Sequence, residues 1–189
     1  VLLGAAAVAL AARAAAGTLL ALGSSSVARW HSARADLGLP VVNRGIGGAQ
    51  LPDLLRAEQT LESGLAPTWV LVYGGDNDLG LHRPVKAVAD DYGVLLARLH
   101  ARWPRARILA LSVKPSLQRV ALMAQMRQLN ERIAARAAAL GGSAVYVDVF
   151  TPMLGDDGLP RSDLFIADGL HMSAAGYAVW ADAVKAHLG

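Results

Sequence analysis

The strongest constraint on this chain is a pairing that recurs along it: a short, uninterrupted apolar run that ends in a Gly-, Ser- or Asn-rich turn, then a longer stretch of helical composition. The apolar runs are residues 18–22, 40–43, 68–73, 107–113 and 144–149, and the helical stretches are 27–36, 51–65, 85–103, 121–140 and 173–187. A strand exposed on one face alternates apolar and polar residues, so continuous apolar runs predict strands covered on both faces. Strands that alternate with helices of these lengths form βαβ units. The expected fold class is therefore α/β: a three-layer α/β/α sandwich around a five-stranded parallel sheet, in the flavodoxin-like strand order 2-1-3-4-5.

A chain of 189 residues can bury a sizeable core as one domain. With 54% hydrophobic and 17% charged residues it is too apolar for disorder. Its net charge of +3 is spread along the chain without an aromatic-rich basic stripe, which argues against nucleic acid as a partner. There is no cysteine, so thiol catalysis, disulfides and cysteine-ligated metals are excluded. Residues 1–16 are almost entirely apolar and form a segment separate from the domain expected at 17–189. They read either as an Ala-rich helix packed on the sheet or as the remnant of an export or anchor sequence. Membrane contact is expected only through this segment. A periplasmic, secreted or membrane-anchored location follows from the export reading, and a cytoplasmic one from the other.

Ligands of an open parallel sheet bind at the carboxyl ends of its strands, near the point where strand order reverses. The turns after strands one, two and three meet there in the expected topology. They carry Ser24, Ser25 and Ser26, then Asn43, Gly45, Gly47 and Gly48, then Gly75, Asp76, Asn77 and Asp78. Each has a plain structural explanation, because Ser, Asp and Asn cap helices and Gly permits positive φ in turns. Each also has a chemical one. A serine hydroxyl becomes a nucleophile beside a base, and backbone or amide N–H groups stabilise a developing oxyanion. His171 is the best candidate base of five histidines, since Asp168 stands three residues before it and Ser173 starts a helix just after. Hydroxyl-rich strand-to-helix turns also cradle phosphates, which keeps a catalytically silent, flavodoxin-like binding module as the competing class. No His-Glu-x-x-His pattern or second histidine cluster occurs, so no metal site is expected.

From Thr18 onward these separated segments together resemble the SGNH hydrolases, also called the GDSL esterase/lipase family. The serine block aligns with Ser25, the glycine block with Gly48, the Gly-x-Asn-Asp block with Gly75 to Asp78, and the Asp-x-x-His block with Asp168 and His171. The resemblance implies Ser25 as nucleophile, His171 as base and Asp168 as its orienting acid. It further implies an oxyanion hole made by the N–H groups of Ser25 and Gly48 and the side chain of Asn77. Ser24 stands where the commoner pattern has Asp, and Ser26 is a second conceivable nucleophile. No cofactor is implied. The expected substrate is a small-molecule ester with a short acyl chain; carbohydrate O-acetyl groups, thioesters and lysophospholipids are alternatives on the same site. Pocket walls are expected from 46–51, 113–117 and 153–165, with Lys114, Ser116 and Arg119 read as solvent-exposed loop residues.

Overall fold

The computed structural model describes residues 17–189. The first sixteen residues, with both readings of them, lie outside that range. Five strands form one sheet: β1 (Leu19–Gly23), β2 (Val41–Gly45), β3 (Trp69–Tyr73), β4 (Arg107–Leu111) and β5 (Ala144–Val147). All neighbouring pairs are parallel, in the order β2-β1-β3-β4-β5, as the sequence pattern predicts. Seven α-helices connect or flank them: α1 (Ser25–Ala28), α2 (Ala33–Leu37), α3 (Leu51–Gln59), α4 (Asp76–Gly80), α5 (Val85–Arg102), α6 (Met123–Ala138) and α7 (Ala174–Lys185).

Alternate strand residues feed two separate cores. Leu20, Leu22, Val70, Val72, Ile108 and Ala110 pack against the apolar stripes of α3, α5 and α6. Leu19, Ala21, Leu71, Tyr73, Leu109 and Leu111 face the other way, towards α2 and α7. This is why the strand sequences are apolar without alternation. The connections after β1 and β2 run on opposite faces, and the reversal opens a crevice above the carboxyl ends of β1 and β3.

Strand ends depart from the sequence reading where a distant side chain takes the backbone groups. Strand β4 stops at Leu111 because the Asn130 amide clamps Val113, accepting its N–H at 2.7 Å and donating to its carbonyl at 3.1 Å. Strand β5 stops at Val147, and the N–H groups of Val149 and Phe150 both donate to Ser112 Oγ at 2.9 Å. The helix expected at 27–36 is broken in two. In the link, Trp30 Nε1 and Ser32 Oγ both donate to the Asp36 carboxylate, at 2.7 and 2.6 Å. Helix α3 ends six residues early, where the Arg102 guanidinium captures the carbonyls of Glu58 and Leu61.

An aromatic cluster joins α7 to the turn that follows β1. Trp30 stacks on Tyr177 at 5.7 Å, Tyr73 meets Trp180 at 4.7 Å, and the Tyr177 hydroxyl donates to the Ser26 carbonyl at 2.9 Å. Gly45 is in extended β2, and its place reflects a close approach. A Cβ there would stand 2.1 Å from the Ala28 nitrogen and 2.4 Å from its Cα. Gly45→Ala must therefore push α1 away from β2, and urea unfolding should show a loss of about 3 kcal/mol or more. An unchanged midpoint would mean that the two backbones separate without cost.

Candidate active site

Strand β1 ends at Gly23, and the chain turns at once into α1. The Ser24 N–H donates to the Tyr73 carbonyl at 3.1 Å, which ties the turn to β3. Ser24 precedes the helix, but its side chain makes no cap bond; it is fully buried and its Oγ points to Asp76 Oδ1 at 3.5 Å. An Asp at position 24 would set two carboxylates against each other in that space, so Ser24 suits a chain that has its acid at 76. Ser26 is buried, and its carbonyl is held by Tyr177. Ser25 alone of the three reaches the histidine.

His171 Nε2 lies 3.2 Å from Ser25 Oγ, and His171 Nδ1 lies 2.6 Å from Asp168 Oδ2. The other Asp168 oxygen accepts the N–H groups of Leu170 and His171, each at 2.9 Å. The bond to the His171 ring, and then these two backbone donors, hold the Asp168 carboxyl well below the usual carboxylate range. Asp168 is thus a carboxylate at any pH at which the protein would work. With it on Nδ1, the imidazole turns its other nitrogen to the serine, the geometry that lets a ring accept a hydroxyl proton and bear the resulting charge.

Gly48 lies in the turn after β2, whose Ile46 N–H donates to the Gly23 carbonyl at 2.8 Å, just before the Ser24–Ser25 turn. Of Gly45, Gly47 and Gly48 only Gly48 has positive φ, 73°. Its N–H and that of Ser25 have no hydrogen-bond acceptor among the described residues. Asn77, in the first turn of α4, donates from Nδ2 to the Ala49 carbonyl at 3.0 Å and accepts at Oδ1 from Arg119 Nη2, also at 3.0 Å. One amide N–H of Asn77 is left over. The helix cap is Gly75 rather than any of the acids. Asp78 does cap a helix, but a different one, accepting the Leu51 N–H at the start of α3 with both oxygens at 3.1 Å. Arg83 pairs with it from the other side.

Lys114, Ser116 and Arg119 are not the exposed loop residues that the sequence suggests. Lys114 and Ser116 are each 1% exposed, and the Arg119 side chain is 17% exposed. For the two cations the reason is pairing across the fold. Lys114 Nζ donates to the Leu170 carbonyl at 2.7 Å and sits over the Phe165 ring at 5.5 Å, while Arg119 Nη1 is 3.2 Å from Asp76 Oδ2. The Gln118 N–H adds a bond to the Gly169 carbonyl at 3.0 Å. This β4–α6 loop thus braces the Asp168–His171 turn from beneath. In the segment 153–165, Met153, Leu164 and Phe165 are buried in the core while Leu159 is exposed. Exposed apolar side chains near the Asp168–His171 turn and Gly48 include Ile46, Leu117 and Ile166. A hollow of about 520 Å³ adjoins Gly48 and is lined by Ile46, Ala49, Arg56 and Thr60 among others. Among the described residues no three His, Asp or Glu gather as a metal site would require, and no helix is long and apolar enough to cross a membrane.

A doubly wound sheet with a hydroxyl, an imidazole and a carboxylate in line at its carboxyl edge defines a hydrolase. The chain belongs to the GDSL-like lipase/acylhydrolase family, whose sequence profile matches residues 14–179, and it is a carboxylic ester hydrolase. No curated protein matches it in sequence. Among solved structures it is similar to a Streptococcus pneumonia protein provisionally described as a platelet activating factor, at 24% identity and a TM-score of 0.80 over 92% of this chain and 84% of that one. It is similar to a GDSL-like lipase from Bacteroides thetaiotaomicron, at 20% identity and a TM-score of 0.74 over 95% and 94%. A catalytic mutant of an acetylxylan esterase from Geobacillus stearothermophilus superposes at 17% identity and a TM-score of 0.76 over 92% and 94%. At these identities the likeness is one of fold.

Burial, more than any other influence, pushes the Lys114 amine down to about 8 from an ordinary 10.5. Between those values the unfolded chain binds a proton that the folded protein does not, so stability rises with pH across the window; below pH 8 both states are protonated and the penalty is constant. Relative to Lys114→Met, the wild type should therefore gain stability between pH 8 and 10 in urea titrations. Parallel pH profiles for the two proteins would show that the amine is protonated throughout.

Proposed function

We propose that the protein is a serine esterase that cleaves short-chain carboxylic esters through an acyl-serine intermediate. One observation carries the reading: the unbroken line from Asp168 through His171 to Ser25, with its links of 2.6 and 3.2 Å. Ser25 Oγ attacks the acyl carbonyl as its proton passes to His171 Nε2, and the imidazolium is stabilised by Asp168 on Nδ1. His171 then returns that proton to the alkoxide leaving group, which departs as the alcohol. Water repeats the sequence: His171 takes its proton, the acyl carbonyl is attacked a second time, and Ser25 Oγ is expelled and reprotonated as the carboxylic acid is released.

Charge collects on the former carbonyl oxygen in both tetrahedral states. The N–H groups of Ser25 and Gly48 and the remaining amide N–H of Asn77 are the donors assigned to it, each worth on the order of 3 kcal/mol in such a role. The exposed Ile46, Leu117 and Ile166 side chains favour an apolar acyl or alcohol part. No lid-like insertion among the described elements encloses a long chain. A second reading, removal of O-acetyl groups from carbohydrate, draws on the fold shared with the acetylxylan esterase. It uses the same residues with acetate as the acyl group. Turnover of acetylated xylan that exceeds turnover of simple alkyl acetates would select it.

Labelling with a serine-directed fluorophosphonate should give one adduct, on Ser25, absent from Ser25→Ala and from His171→Ala. A folded wild type that takes no label would point to a silent binding module. With nitrophenyl esters, Asn77→Ala should lower kcat by about 10² to 10³ with the fold retained by circular dichroism. Turnover should fall with acyl length beyond butyrate; a steady rise to long chains would reject the short-chain preference.

A further inference from the structure

We propose that Arg119 is a positioning residue that fixes the Asn77 amide with its nitrogen, not its oxygen, turned to the substrate oxygen; this rests on the esterase reading above. A primary amide is nearly symmetric in shape, yet its two ends are opposite in hydrogen bonding. Turned one way, Asn77 donates to an oxyanion. Turned the other, it repels one. What decides between them must be neighbours of a single polarity.

Asn77 has one at each end. The Arg119 guanidinium is donor only, so the atom 3.0 Å from its Nη2 has to be Oδ1. The Ala49 carbonyl is acceptor only, so the atom 3.0 Å from it has to be Nδ2. A flipped amide would set donor against donor and acceptor against acceptor in a buried place. The Ala49 carbonyl also follows Gly48 in the chain, so one amide joins two of the three assigned donors.

Arg119 is itself held. Its Nη1 lies 3.2 Å from Asp76 Oδ2, within ion-pairing distance although not aligned as a hydrogen bond. Its backbone N–H donates to the Ser116 carbonyl at 3.2 Å, and its guanidinium lies against Gly80, where a Cβ would come within 3.1 Å of Cζ. Asp76, the neighbour of Asn77 in sequence, thus anchors the cation that orients Asn77. The bond to the guanidinium also polarises the amide and strengthens its N–H as a donor.

The test is a double-mutant cycle on kcat and KM for a nitrophenyl acetate, using Arg119→Met, Asn77→Ala and both together. Arg119→Met should lower kcat about 10- to 100-fold, a part of what loss of one oxyanion donor costs, with KM within about twofold. In the Asn77→Ala background the same change should have little further effect, because the amide that it orients is gone. Arg119→Lys, which still offers a donor to Oδ1, should recover part of the loss. Because Arg119→Met leaves Asp76 buried with a weaker partner, Asp76→Asn/Arg119→Met supplies a charge-balanced protein with the same expected fall in kcat. Folded variants with wild-type kcat, or effects of Arg119→Met and Asn77→Ala that multiply in full, would overturn the assignment of Arg119 while leaving Ser25 and His171 in place. Activity that survives Ser25→Ala would instead remove the esterase reading itself.

Discussion

A sheet packed on both faces leaves polar chemistry only one place to gather. Every strand from β1 to β5 runs the same way, and the side chains of both faces are committed to two apolar cores. Polar groups inside either core need a partner there, as the Tyr92 hydroxyl finds in the Val72 and Leu111 carbonyls, and few such partners are free. The carboxyl edge is different, because each strand there hands the chain to a turn whose backbone groups must find partners outside the strand ladder. Ser25, Gly48, Asn77, Lys114 and the Asp168–His171 turn all stand on segments that leave or overhang that edge. Their convergence follows from topology and direction, and the local sequence around each has only to supply the right atom.

Much of this was readable in advance, for a local reason. An uninterrupted apolar run and a Gly or Ser after it are properties of adjacent residues, so strands β1 and β3 and the strand order were legible. The alignment of Ser25, Gly48, Asn77, Asp168 and His171 was legible from separated short segments taken in order. What could not be read was decided by residues far apart in the chain. Nothing near Val113 announces that Asn130 will take its backbone groups and end β4. Nothing beside Lys114 or Arg119 shows that Leu170 and Asp76 wait for them. A lysine and an arginine in a turn are ordinarily in water, and only the fold provides the partners that allow their burial.

Those buried cations change the electrostatics beneath the site. Asp76 faces Arg119 and is also felt by Lys114, which feels Asp168 as well, so two positive groups stand among two carboxylates. The two cations lie at the carboxyl edge, Lys114 against the Leu170 carbonyl and Arg119 against the Asn77 amide. In a place of low dielectric, such fixed charge acts over a longer range than it would in water. Ser24 fits this arrangement: a small, neutral side chain beside Asp76 leaves the acid to the arginine.

The serine and the imidazole that meet at 3.2 Å are separated by 146 positions along the chain. Between them lies all of the sheet after β1, and the aromatic contacts that seat α7 come later still. No fragment lacking the last helix and its preceding turn can assemble this pair. On a ribosome, this pair can meet only after nearly the whole domain has emerged and closed, so the nascent chain keeps hydroxyl and imidazole apart until folding is finished.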